Sequence, residues 1–139
     1  MAGVRRGARA VYRVAIALTA LAGVVQIFLA GRGVFGIHGA AKLDDQSSLD
    51  PHRVLGNAIG IAAIVLFVLA LLMWDRRLIV WTLVLVVLTV AVQNVTSTDE
   101  HPWIAGFHPV SGVAIVAIAG SLAGAAWRPS RTAMAGPDS

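Results

Sequence analysis

Four long stretches of this chain contain no Asp, Glu, Lys or Arg. They cover residues 14–31 (18 residues), 54–74 (21), 78–98 (21) and 101–127 (27) of 139. A helix that crosses the hydrocarbon core of a bilayer needs roughly 20 mostly apolar residues. No water is present there to satisfy the backbone of an irregular segment. The pattern therefore predicts an all-α fold, a four-helix transmembrane bundle with helices over about 10–32, 51–74, 78–96 and 108–127. These form one membrane domain, residues 1–128. A chain that is 58% hydrophobic and 13% charged, with mean hydropathy +0.79, lies outside the balance of a soluble domain. The tail 129–139 is polar, contains two prolines and is expected to be disordered. The first apolar run starts basic, like a secretory signal. It is longer than the usual core of about 7–15 residues, and Gly31-Arg32-Gly33 is a poor cleavage site, so it reads as retained.

The charges between the runs suggest an orientation. Arg5, Arg6, Arg9, Arg13, Arg76, Arg77, Arg128 and Arg131 fall on one face, eight of the eleven Lys+Arg. Arg32, Lys42 and Arg53 fall on the other, among Asp44, Asp45, Asp50, Asp99 and Glu100. The positive-inside rule then puts both termini in the cytoplasm. The net charge of +4 becomes a basic rim beside anionic lipid. No folded surface outside the spans is left to bind nucleic acid. Trp74, Trp81 and Trp127 near one edge and Trp103 near the other read as interfacial belts. Asp50-Pro51 reads as a helix start, with Asp50 as N-cap, and Asp75-Arg76-Arg77 as a tight turn between antiparallel neighbours.

Two of the four histidines share a frame. His52-Arg53-Val54-Leu55-Gly56 and His108-Pro109-Val110-Ser111-Gly112 are both His-x-Val-x-Gly, and each opens an apolar run. The helix before each carries a Val-Gln pair, Val25-Gln26 and Val92-Gln93. The order Gln, outer loop, His occurs twice, with 26 residues from Gln26 to His52 and 15 from Gln93 to His108. The chain reads as two helical hairpins of parallel topology, arisen either by duplication or by chance. Both histidines start helices that descend from the same face, so they lie at matched depth.

Imidazoles at a membrane edge are a functional-site hypothesis by default. Two of them facing each other across a bundle are an axial pair for a b-type haem, with His52 and His108 on the iron. Gly56 and Gly112, one turn on, lie on the same helix faces and would clear space for a flat ring. Gln26 and Gln93, or Asn57 and Ser111, could hydrogen-bond the second imidazole nitrogen and set its tautomer. Arg53, with Arg32, stands where haem propionates would emerge. The competing reading is structural: solvated histidines, with Gly56-x-x-x-Gly60 and Gly120-x-x-x-Gly124 as helix-packing faces. In that case the two glutamines hydrogen-bond across helices or to backbone.

Other chemistries find less. His38 and His101 lie in loops near Asp44, Asp45, Asp99 and Glu100, where a surface zinc or copper site is conceivable, as is simple solvation. Gly31-Arg32-Gly33-Val34-Phe35-Gly36 spells a dinucleotide fingerprint but follows a membrane helix rather than a strand. With no cysteine, disulfides, thiolate metal sites and covalent haem are excluded. The spans hold no carboxylate, unlike proton-coupled pumps.

A four-helix unit with haem-ligating histidines near the outer ends of its second and fourth helices is similar to one half of heme A synthase. That family's first ligand commonly stands in a His-Arg pair, as His52-Arg53 does here. Leu49 stands three residues before His52, where the synthase has an acid, and the synthase's loop cysteines are missing. The resemblance implies the haem-holding layout and not the synthase activity. The order Gln, His-Arg, Gln, His-Pro also resembles small uncharacterised bacterial four-helix membrane proteins, which implies a bacterial cytoplasmic membrane. The expected function is haem b binding near the outer leaflet, for electron transfer or haem handling. The partners would be the lipid bilayer, a quinone or another membrane protein, or a second copy of the chain. The alternative is a structural or assembly subunit without cofactor. Neither reading makes the chain an enzyme on its own.

Overall fold

The computed structural model describes residues 2–37, 49–97 and 101–128, and all their regular structure is helical. Four helical stretches are long and apolar enough to cross a membrane: Gly3–Gly33, Asp50–Met73, Arg76–Thr96 and Trp103–Ala126. Helix α1 runs over Ala2–Ile37, further in both directions than the expected 10–32. Its basic start, Val4-Arg5-Arg6-Gly7-Ala8-Arg9, has no proline, and Ala and Arg are strong helix formers, so nothing stops the helix where the apolar run begins. His38 and most of the expected first loop lie outside the described residues.

Helix α2 spans Asp50–Met73, and its start differs from the capping expected of Asp50. Leu49 occupies the N-cap position and makes no side-chain cap. Asp50 lies in the first turn, beside the positive end of the helix dipole, and accepts from Arg53 Nη1 at 3.3 Å. The helix ends on Trp74 in a left-handed conformation (φ 55°), a place more often held by glycine. Asp75 is the cap instead. Its Oδ1 accepts from the backbone N–H of Arg77 at 3.1 Å and of Leu78 at 3.2 Å, which starts helix α3 (Arg76–Val86) at once.

The third span is not one regular helix. After α3 the chain widens into a π-helical segment, Val87–Val92, before α4 (Gln93–Thr96). Gln93 N–H reaches back five residues to Leu88 O. Inside the segment, the Thr89 hydroxyl donates to Leu85 O at 2.8 Å, competing for carbonyls that a regular turn would use. Thr82 and Thr96, seven residues to either side, donate to their own i−4 carbonyls in the same way. A short helix α5 (Pro102–Ala105) then leads into α6 (Phe107–Ala126).

The helices form a ring. α1 packs against α2 and α6, α2 against α3, and α6 against the third span. Among the described residues, α2 and α6 do not touch backbone to backbone; they face each other across the axis. The inward positions of α2 are Ile59, Ala63, Leu66, Ala70 and Met73, the alternating four-and-three spacing of a coiled-coil seam. They meet Tyr12 and Ile16 of α1, Leu85 of α3, and Ile115, Ala119 and Leu122 of α6. Only 17–28% of each span's most apolar window is buried, so most of the apolar surface points outward. Water would not tolerate such a wall, whereas lipid requires it.

Gly23 of α1 packs against Val116 of α6. A methyl group added there would sit 2.8 Å from Val116 Cγ2, a β-branched group with little freedom to turn away. Gly23→Ala is expected to destabilise the bundle by about 1–3 kcal/mol through overpacking. Gly120→Ala meets nothing within 4 Å and is expected to be neutral. Thermal midpoints of both variants in detergent check the pair.

Candidate functional site

The two histidine frames converge. The His52 and His108 rings lie with centroids 6.0 Å apart and planes at 60°, across the diagonal of the bundle. Both side chains are half-buried. Neither is placed by a loop: His52 is in the first turn of α2 and His108 in the first turn of α6.

A glutamine on the preceding span anchors each frame. Gln26 Nε2 donates to the His52 main-chain oxygen at 2.7 Å, and Gln93 Nε2 donates to the His108 main-chain oxygen at 3.1 Å. Gln93 Nε2 also donates to Ser111 Oγ at 2.8 Å, and that hydroxyl passes its proton to His108 O at 2.9 Å. The glycines are where these amides sit. A Cβ on Gly56 would stand 2.9 Å from Gln26 Nε2, and one on Gly112 would stand 3.8 Å from Gln93 Nε2. The sequence pointed to room for a flat ring; the neighbour at Gly56 is an amide of the chain itself.

The second nitrogen of each imidazole is also engaged. His52 Nδ1 lies 3.3 Å from the Gln26 main-chain oxygen, which can only accept, so Nδ1 carries the proton. His108 Nδ1 lies 3.3 Å from Thr96 Oγ1. That hydroxyl commits its proton to Val92 O at 2.7 Å, so its oxygen faces His108 as an acceptor. The Nδ1–H tautomer, with the lone pair on Nε2, satisfies the contacts of both rings. The one neighbour of His52 Nε2 is Gln26 Nε2 at 3.5 Å, too long for a strong bond. Gln26 Oε1 is buried without a partner. Turning the amide over would set two oxygens against each other at the His52 carbonyl.

Other residues singled out by the sequence lie apart. Arg53 is at the exposed rim, paired with Asp50. Asn57 is exposed. His101 is exposed, and its expected companions Asp44, Asp45, Asp99 and Glu100 lie outside the described residues. Among the described residues no three His, Cys, Asp or Glu side chains gather as a metal group. Thr96 is the participant that sequence reasoning overlooked. Its signal was the threonine repeat 82, 89, 96 along a mostly apolar span.

Fold and site together define a small all-helical protein with four membrane-length helices and a pair of histidines held between two helix starts. The chain belongs to the family of unknown function DUF6220, whose model matches residues 26–98, just over half of it. The match runs from Gln26 through His52, Gly56 and Gln93, and stops before His108. No curated protein and no solved structure matches the chain, so the likeness to heme A synthase rests on the residue pattern alone.

Proposed function

We propose that His52 and His108 are the axial ligands of a b-type haem, and that the protein serves electron transfer or haem handling in a membrane. The observation that carries this reading is the paired tautomer. A metal takes the lone pair of a neutral imidazole whose other nitrogen donates to the protein, and the contacts of both rings fit that form. The ring separation suits the assignment. The centroids stand 6.0 Å apart, a separation at which one metal ion could be held between the two rings. Haem would supply a one-electron couple. The chain's own part is to orient the two rings through Gln26 and Thr96 and to wall the site with apolar helix faces.

In this reading the arginine-rich end faces the cytoplasm, and the histidines lie toward the outer leaflet of a bacterial cytoplasmic membrane. A haem there spans only part of the bilayer, so a quinone or a second membrane protein must exchange electrons with it. Reporter fusions at residue 139 and in the 42–48 loop are expected to give opposite topologies. A C-terminal reporter active only outside the cell would reverse the orientation. The matched Gln-to-His hydrogen bonds also favour reading the chain as two repeated hairpins.

The decisive experiment is the absorption spectrum of protein purified from haem-replete cells. A sharp Soret band that shifts on reduction is expected. Colourless protein would favour the second reading, a structural or assembly subunit in which the frames are clamps between helices. Two observations favour that alternative: Gln26 occupies the space beside Gly56, and Gly120 and Gly124 on α6 meet nothing within 4 Å.

A further inference from the structure

We propose a second site, at the end of the bundle opposite the histidines: a cleft that binds a phosphate-ester group. A cavity of about 240 Å³ opens there, lined by Arg9, Tyr12 and Arg13 of α1, Asp75 and Arg77 at the start of α3, and Arg128 after α6. This is below the size of a drug-binding pocket and suits a head group. Four arginines line it against one carboxylate. None of the four side chains makes a hydrogen bond or ion pair with the described residues. Asp75 offsets only one of the four charges, and its Oδ1 also accepts from two backbone N–H groups of α3.

Tyr12 distinguishes this cleft from an ordinary basic rim. Its side chain is only 2% exposed, lines the cleft, and has a hydroxyl without a hydrogen-bond partner among the described residues. A buried hydroxyl without a partner is costly, and phenylalanine would fill the same space without that cost. The hydroxyl has a use if it donates to an anion. Three further features favour the same ligand. Arg9 and Arg13 are four residues apart on one face of α1, where like charges repel unless an anion lies between them. Arg77 sits at the positive end of the α3 dipole, a place that disfavours a cation and favours an anion. Arginine is the side chain suited to bidentate phosphate binding. The floor, Met73 and Leu122, is apolar and would accept the carbons next to the ester.

Phosphate chemistry is shared by a lipid head group and a soluble phosphate, and the test separates them. The full chain in neutral detergent is titrated with inorganic phosphate, with dihexanoyl phosphatidic acid, and with dihexanoyl phosphatidylcholine. Ionic strength is held with sodium chloride, and the thermal midpoint is read by tryptophan fluorescence. A saturable rise with phosphatidic acid, and little with phosphatidylcholine, is expected. A matching rise with inorganic phosphate would assign a soluble ligand; a rise with the lipid alone would assign a head group. Tyr12→Phe is expected to keep or raise the ligand-free midpoint and to weaken apparent affinity roughly tenfold, the loss of one hydrogen bond to a charged group. Arg13→Gln is expected to weaken it similarly. A rise that never saturates, one that chloride reproduces, or a Tyr12→Phe titration that matches the wild type would overturn the site. None of these results depends on whether the protein holds haem.

Discussion

Alanine in place of His52 or His108 is expected to cut haem retention at least about tenfold, while alanine at His101 leaves it unchanged. Removing a first ligand should cost more than the roughly 10–100-fold typical of losing a group that orients one. Any haem kept by a single-histidine variant should be five-coordinate and high-spin, because the opposite imidazole is then gone. Thr96→Val should weaken retention about tenfold and leave the spectrum low-spin, since Thr96 meets the His108 ring at Nδ1 and not at Nε2. The measurement is the haem-to-protein ratio with the oxidised and reduced spectra. Wild-type-like low-spin spectra in both histidine variants would move the ligands elsewhere.

Valine at Gly56 is expected to lower stability by about 2 kcal/mol and to disturb the His52 site, whereas alanine at Gly112 should do neither. The difference follows from the two clearances. A Cβ at position 56 stands 2.9 Å from Gln26 Nε2, inside the contact limit, while one at 112 stands at 3.8 Å, an ordinary contact. Gln26 could swing its amide away, but only by giving up the 2.7 Å bond to His52 O in surroundings with few other partners. Loss of that bond and the crowding each cost about 1–3 kcal/mol, offset in part by the better helix propensity of valine over glycine. Thermal midpoints of the two variants settle it. Equal losses at both positions would mean the glycines make room for something other than the amides.

The spans were legible because charge is nearly forbidden in hydrocarbon. Four uninterrupted runs leave few alternatives, and the described residues form four helical stretches of that length. Helix ends were less so. The arginines before Ala10 looked like a flanking loop, yet a polar segment of strong helix formers simply prolongs α1. Asp50-Pro51 had the composition of a cap, but the chain turns one residue earlier and Asp75 does the capping elsewhere. The pairing of His52 with His108 could be proposed from two matching frames. What touches each ring could not, because it depends on helix rotation. Thr96 reaches His108 only after a change of pitch that no periodicity in the valine-rich run announces.

That change of pitch bears on motion. A π turn holds one residue more than an α turn, and the surplus can move along the helix by exchanging i−5 for i−4 partners. Each one-residue step turns the segment beyond it by about 100° about the axis. Gln93 and Thr96, which hold the His108 carbonyl and ring, lie just past the wide turn Val87–Val92. The lower half of the third span, with Leu85 and Thr82 fully buried, is locked in the core. The wide turn is thus placed where a one-residue shift would turn Gln93 and Thr96 about His108, while Gln26 on the unbroken α1 would keep its hold on His52.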